Sequence, residues 1–170
     1  MRVLVAYGSR MGGTTGIAET IAGTLRDQGL DAEIRAAKAV KNVQGYDAVI
    51  VGGALYAYRW HKDARRLVKR NLDILKTKPV WLFSSGPLDD SASVGDLPPV
   101  ESVRKLMEQI DARGHQTFGG RLPAEVDWFP ASAMAKEHAG DWRNMDQVTH
   151  WATEIASELS WKVEVQAPTG

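Results

Sequence analysis

The chain contains no cysteine, no excess of charge of either sign and no long apolar run. The absence of cysteine excludes disulfides, thiolate metal sites and thiol catalysis. Lysine and arginine together number 21, as do aspartate and glutamate, so no global field favours nucleic acid or an anionic membrane. No apolar stretch approaches the roughly 20 residues that span a bilayer. The chain begins with a strand pattern rather than a signal peptide, which predicts a cytoplasmic protein.

Metal-binding and hydrolytic motifs are also missing. The four histidines, His61, His115, His138 and His150, include no pair at the i, i+4 spacing, so no metal site is predicted. Ser9 has no recognisable general base, which disfavours nucleophilic hydrolysis. The sequence therefore leaves the catalytic residues unassigned.

What the chain does have is a stretch rich in glycine and hydroxyl groups, YGSRMGGTTG at residues 7–16. It follows an apolar run and precedes an amphipathic one, which predicts strand, turn and helix. Such a turn points backbone N–H groups at one place, where the helix N-terminus adds partial positive charge. Ser9, Thr14 and Thr15 add hydroxyl donors. We therefore predict a phosphate site; the alternative is an ordinary turn with Thr14 or Thr15 as the N-cap.

The same stretch lacks the marks of three familiar phosphate-binding motifs. A nucleoside-triphosphate loop needs lysine after its last glycine, and Thr14 holds that place here. A dinucleotide fingerprint needs three glycines, and Met11 replaces the first of them. A phospho-receiver domain needs acidic residues at its strand ends. In this chain the first predicted strand ends in Tyr7-Gly8 instead. A loop of amides and hydroxyls alone suits a phosphate monoester that is carried on a larger cofactor.

Apolar runs and helical stripes alternate along the rest of the chain. Strands are predicted at Arg2–Tyr7, Ala32–Arg35, Asp47–Gly53, Pro79–Ser84 and His115–Gly120, and helices at Thr14–Gln28, Trp60–Leu75, Pro98–Arg113 and Asp141–Leu159. This alternation predicts one α/β domain at 1–160 with a doubly wound parallel sheet, and five strands with a phosphate loop after the first suggest the order 2-1-3-4-5. Residues 161–170 are expected to form a flexible tail. Ligands of such sheets bind beyond the carboxyl ends of the strands, which would bring together the loops Gly8–Thr14, Gly53–Trp60 and Ser84–Asp90.

These three loops resemble those of the flavodoxin-like, FMN-binding family, and in particular its menaquinone-dependent protoporphyrinogen oxidase type. The resemblance extends to about Leu159 and rests on YGSRMGGTTGIAETIA, VIVGGALYAYRWH and GDWRNMDQVTHWATEIA. It implies that FMN is the cofactor. The residues that it implies for the phosphate are Ser9, Arg10, Met11, Gly12, Gly13 and Thr14. Those implied for one side of the flavin ring are Ala54, Leu55 and Tyr56, and for the other side and the pyrimidine edge Ser84, Ser85, Gly86, Pro87 and Leu88.

A flavin ring has flat apolar faces and a polar rim, so it needs aromatic or aliphatic walls and backbone contacts at its edge. Tyr56, Tyr58 and Trp60 are the wall candidates, with packing between loop and helix as the alternative. Asp89 and Asp90 lie in the predicted ring-edge loop. They would lower the flavin's potential there, or they serve the turn that follows.

The segment after the fifth strand departs from the oxidase pattern. Oxidases of that type carry a long apolar and basic segment there, thought to meet a membrane or a quinone. The counterpart here, Arg121–Gly140, is shorter and mixed in charge. Its triplet Trp128-Phe129-Pro130 forms either a small apolar docking patch, compatible with peripheral membrane contact, or a cover for the end of the sheet.

Two functions fit these observations. The first is an FMN-dependent oxidoreductase that moves electrons between a small molecule or quinone and FMN. The second is a flavodoxin-type one-electron carrier that docks on redox partner proteins; a related cofactor such as a deazaflavin is a third possibility. Carriers usually rely on a strongly acidic surface. This chain is neutral, and its second predicted helix carries Lys62, Arg65, Arg66, Lys69 and Arg70, which favours the enzyme.

Overall fold

A computed structural model of the chain describes residues 1–125, 132–133, 135 and 139–166. The strands that it describes are β1 Arg2–Gly8, β2 Asp31–Ala36, β3 Ala48–Tyr56, β4 Arg59–Trp60, β5 Val80–Ser85, β6 Gly114–Phe118, β7 Arg121–Leu122 and β8 Gly140–Asp141. Its helices include α1 Gly13–Asp27, α2 Lys62–Arg70, α3 Leu72–Leu75, α4 Ser91–Val94, α5 Glu101–Ile110 and α6 Met145–Gln166.

The central sheet has the order β2-β1-β3-β5-β6, and each neighbouring pair along it is parallel. The predicted α/β fold and the predicted order 2-1-3-4-5 are confirmed. Strand β4 adds an antiparallel hairpin to the end of β3, and β7 pairs with β8 in a separate two-stranded sheet.

Successive residues of the central strands face two different hydrophobic cores. On β3, Ala48 and Ile50 pack under α1 and α6, whereas Val49 and Val51 pack under α2 and α5. The stripes predicted for the first and last helices are buried in the former core: Ile17, Ile21, Leu25, Val148, Trp151, Ile155 and Leu159. Burial on both faces is what near-continuous apolar strands require. It leaves the carboxyl edge of the sheet as the place where loops can meet a ligand.

The segment after β3 differs from the prediction. Strand β3 continues to Tyr56, the chain turns back into β4, and α2 begins at Lys62 rather than at Trp60. Trp60 is 2% exposed, and its indole Nε1 donates to Phe83 O at 3.1 Å. Gly53 makes room for it, because a Cβ there would lie 2.5 Å from that indole nitrogen. A two-residue strand shows no periodicity, so the sequence pattern extended the helix over it.

The predicted second helix is interrupted at Asn71. Helix α2 ends at Arg70, and Asn71 donates from Nδ2 to Leu67 O at 2.9 Å, which satisfies a carbonyl of the last turn. The last helix continues past Leu159 to Gln166. A flexible tail therefore stays a prediction for residues 167–170.

The apolar triplet Trp128-Phe129-Pro130 lies outside the described residues, as does most of the segment that contains it. Among the helices that the structure describes, none is long and apolar enough to cross a membrane.

Candidate functional site

The first βα corner is open to an anion. Helix α1 begins after Gly12, whose φ of 76° lies in the left-handed region that glycine adopts without strain. The N-cap residue is Gly12, which has no side chain to cap the helix, so the alternative in which Thr14 or Thr15 is the N-cap is wrong. Its first turn holds no acidic residue. Since the leading N–H groups of a helix have no intrahelical acceptor, this end is arranged to receive negative charge.

The three hydroxyl groups of the corner have different surroundings. Ser9 Oγ accepts a hydrogen bond from Gly12 N at 3.1 Å, which fixes the turn. Thr14 is 1% exposed, and its Oγ1 lies 2.7 Å from Ser85 Oγ. Thr14 therefore fastens the corner to the end of β5, whereas Ser9 and Thr15 are partly accessible.

The three loops predicted to form the site are in contact with one another. Arg10 N donates to the Tyr56 hydroxyl at 3.1 Å, which joins the corner to the turn after β3. Leu55 packs on Gly86, where an added Cβ would lie 2.7 Å from Leu55 Cβ. The hydrogen bond from Thr14 to β5 completes the triangle. The structure thus brings the predicted loops together, and their contacts with a cofactor stay a prediction.

The loop after β5 offers a ligand its backbone more than its side chains. Ser84 is buried, with its Oγ 3.0 Å from His115 Nε2, and Ser85 is buried against the corner. Pro87 O accepts from Gly120 N at 2.8 Å, which pins the loop to the chain beyond β6. Of the other predicted site residues, those that are buried are Gly13 and Ala54, those half-buried are Met11, Leu55, Tyr56, Gly86, Pro87 and Leu88, and those exposed are Arg10 and Gly12.

The three aromatic residues predicted to cover the flavin ring differ in how deeply they are buried. Trp60 lies in the core, so its prediction as a wall is wrong. Tyr56 is half-buried, and Tyr58 is 87% exposed. Ala57 and Tyr58 form the turn with φ angles of 47° and 59°, a left-handed conformation that costs non-glycine residues roughly 1–2 kcal/mol each. Ala57 and Tyr58 form the two-residue loop of the β3–β4 hairpin, a turn that needs positive φ at both positions, and the role of Tyr58 as a ring wall stays a prediction.

Asp89, in the predicted ring-edge loop, serves the turn before α4. Its Oδ1 accepts hydrogen bonds from the hydroxyl and from the backbone N–H of Ser91, the latter at 2.9 Å. These hydrogen bonds lower the pKa of Asp89. The local role considered for this residue is confirmed, and Asp90 beside it is exposed.

Sequence reasoning missed a cation that the fold brings to the corner. Arg143 Nη1 donates to Gly13 O at 3.2 Å across a separation of 130 residues. The guanidinium is also bound to Asp141, from Nε at 2.8 Å and from Nη2 at 2.6 Å. Hydrogen bonding within this pair raises the pKa of Arg143 and lowers the pKa of Asp141. The motif GDWRN was the available signal, but nothing local to it shows which loop it contacts.

Two cavities open beside this arrangement. One of about 230 Å³ lies on the β2 side of the corner and is lined in part by Arg10, Lys38 and Lys62. The other, of about 460 Å³, lies between α4 and the start of α6, with Trp142 and Arg143 among its lining residues. The site therefore has space for small molecules next to the predicted ring-edge loop.

The half-buried His115 predicts a pH dependence of stability. Burial lowers its pKa to about 4, against about 6.5 in an unfolded chain. Because the folded pKa is the lower one, the unfolded chain binds the proton first as the pH falls, so this contribution is intact above about pH 6.5 and is lost towards pH 4. We expect the free energy of unfolding to fall by about 1 kcal/mol from pH 6 to pH 5 through this residue, as measured by urea denaturation. His115→Gln should flatten that slope; an equally steep slope in the variant would assign it to other groups.

Comparison with known proteins identifies a family and several solved structures that this chain resembles. Residues 4–139 match the model of a family described as the flavodoxin domain. Rubredoxin:oxygen oxidoreductase from Desulfovibrio gigas superposes with a TM-score of 0.66 at 16% identity, covering 95% of this chain and 37% of that one. Flavodoxin 2 from Bacillus cereus gives 0.63 at 16% identity, covering 93% of this chain and 99% of that one. A flavodoxin from Streptococcus pneumoniae gives 0.61 at 17% identity, covering 93% and 99%.

At these identities the structural likenesses show the fold, and the family match carries the assignment. The chain spans little more than a third of the Desulfovibrio protein but nearly the whole of the two flavodoxins. The narrower likeness to protoporphyrinogen oxidases is not supported by these comparisons and stays a prediction. With well over half of its length matched, the chain belongs to the flavodoxin domain family, whose members bind FMN and transfer electrons.

Proposed function

We propose that this chain binds FMN at the carboxyl edge of its sheet and acts as an oxidoreductase that moves electrons between a small molecule or quinone and FMN. The observation that carries the proposal is the first βα corner. There an uncapped helix N-terminus without an acidic residue in its first turn lies in contact with the two loops expected to flank the ring. A phosphate monoester joined to a flat ring system is the cofactor shape that this arrangement suits.

The residues available to hold FMN follow from the contacts described above. The backbone of Ser9–Thr14 would bind the phosphate, Tyr56 and Tyr58 would cover one face of the ring, and the backbone of Ser84–Leu88 would meet its edge. Bound FMN supplies reversible electron or hydride transfer through its ring. The chain's own residues bind the phosphate, orient the ring and exclude water from one side of it.

The surroundings of the site favour a small-molecule reaction. The chain has no net charge, and cationic side chains line the cavity on the β2 side of the corner. The cavity of about 460 Å³ next to the ring-edge loop has room for a substrate. A porphyrinogen or a quinone, as the family likeness implies, would be the finer form of this proposal.

One observation supports the electron carrier instead. Tyr58 and Val94 are 87% and 82% exposed, and they lie on segments that follow neighbouring strands at the same edge of the sheet. Exposed apolar side chains of this kind can belong to a docking surface for a partner protein.

The test is a reductive titration of the purified protein, after mass spectrometry of whatever cofactor it releases. Release of FMN supports the proposal, release of a deazaflavin corrects the cofactor, and failure of the ligand-free protein to bind added FMN refutes it. For the enzyme we expect reduction in a single two-electron step and fast reoxidation by a water-soluble quinone. Two well-separated one-electron steps, with slow reoxidation by quinone, would instead identify a carrier.

A further inference from the structure

Arg143 lies where a helix disfavours a cation. Its guanidinium donates to Gly13 O in the first turn of α1, which is the positive end of the helix dipole. The side chain is 12% exposed, so solvent screens its charge weakly. Arg121 packs on the same turn, since a Cβ on Gly13 would lie 3.2 Å from Arg121 Cβ. Asp141 is the counter-ion bound to this cluster, and an anion at the corner would stabilise it further.

The guanidinium is held in position by its surroundings. Gly16 lies one turn after Gly13 on α1, and a Cβ there would lie 2.5 Å from Arg143 Nη1. The absence of that side chain lets the guanidinium rest against the helix backbone. Asp141 holds its other edge with two hydrogen bonds, and Trp142 N donates to Gly120 O at 3.0 Å, which ties the segment to the chain after β6.

Arginine has five N–H donors, and the contacts with Asp141 and Gly13 use three of them. Within the part of the chain that the structure describes, the other two have no acceptor. The guanidinium therefore has hydrogen-bonding capacity to spare as well as charge.

We infer that Arg143, positioned by Asp141 and Gly16, makes the first βα corner select the phosphate ester FMN over riboflavin. This inference rests on the proposed binding of FMN at that corner. The phosphate carries nearly two negative charges at neutral pH, whereas riboflavin carries none, so only the former gains from the guanidinium. A residue that merely fastened α6 to α1 would support both ligands equally.

The test compares the affinities of FMN and riboflavin for the ligand-free protein, each measured by quenching of flavin fluorescence. In Arg143→Gln we expect FMN to bind about tenfold more weakly and riboflavin to change by less than about twofold. Arg143→Lys keeps the charge and should retain most of the preference for FMN. Equal weakening of both ligands in Arg143→Gln, or no weakening of either, would overturn the inference.

A second variant keeps the test decisive if Arg143→Gln does not fold. Gly16→Ala leaves the charge in the protein but displaces the guanidinium from α1, and it should reduce the preference for FMN. An unchanged preference there would contradict the role of Arg143. Added to Arg143→Gln, the same substitution should change the preference no further.

Failure of the proposed function would be seen separately. If the unaltered protein binds neither flavin, FMN is not its cofactor, and inorganic phosphate becomes the probe. Phosphate should then raise the melting temperature of the unaltered protein, relative to chloride at the same ionic strength, more than that of Arg143→Gln. Equal responses of the two proteins would overturn the inference about Arg143.

Discussion

Thr15→Asp is expected to weaken FMN binding by roughly 100-fold while making the ligand-free protein more stable. Thr15 lies in the first turn of α1, which has no acidic residue, and its side chain is half-buried. A carboxylate there would stabilise the helix by about 0.3–1 kcal/mol through the helix dipole. The same carboxylate would repel a phosphate dianion a few ångströms away by about 2–3 kcal/mol. The two effects have opposite signs because they act on the same patch of positive potential.

Thr15→Asn is the matched control, since it has the shape of aspartate without the charge. It should bind FMN within about threefold of the unaltered protein and gain less stability than Thr15→Asp. Affinity is measured by quenching of FMN fluorescence, and stability by urea denaturation of the ligand-free protein. If Thr15→Asp gains stability and still binds FMN normally, the corner is a turn without a phosphate site.

The sheet could be predicted from the sequence because its signals are local. The apolar runs at Val3–Ala6 and Ala48–Val51 mark strands covered on both faces, and the stripe through Ile17 and Leu25 marks the helix between β1 and β2. The doubly wound parallel sheet follows from the alternation of strands and helices and from the right-handed crossover rule, and its order was inferred from the phosphate loop after the first of five strands. Each step needs a window of ten or twenty residues and no knowledge of distant contacts.

The site was predicted less completely because its side chains contact segments that are distant in the sequence. The loop sequence alone predicts Thr14 as a phosphate ligand, but its hydroxyl is hydrogen-bonded to Ser85 at the end of β5. The sequence predicts that Trp60 covers the flavin ring, but the turn between β3 and β4 places it in the core, and the sequence pattern did not show that turn. The sequence shows Arg143 only as part of the motif GDWRN, but in the fold its guanidinium donates a hydrogen bond to Gly13 O. In each case the side chain's partner is far away in the sequence, and local patterns contain no information about it.

Tyr58→Gly should lower the affinity for FMN by roughly 5- to 150-fold, because loss of an aromatic stacking partner costs about 1–3 kcal/mol. It should not destabilise the fold. Glycine relieves the left-handed strain at φ 59°, and the greater freedom of the unfolded chain offsets part of that gain, which leaves roughly 0.5 kcal/mol of added stability.

Ala57→Gly is the control for strain, because it relaxes the neighbouring residue at φ 47° and leaves the ring of Tyr58 in place. It should gain similar stability and bind FMN normally, and Tyr58→Phe, which keeps the ring, should resemble the unaltered protein in both measurements. Stability is followed by urea denaturation and affinity by flavin fluorescence. Normal FMN binding by Tyr58→Gly would mean that the exposed ring does not cover the flavin. The strained turn would then hold Tyr58 out for a partner protein, which is what the electron-carrier function predicts.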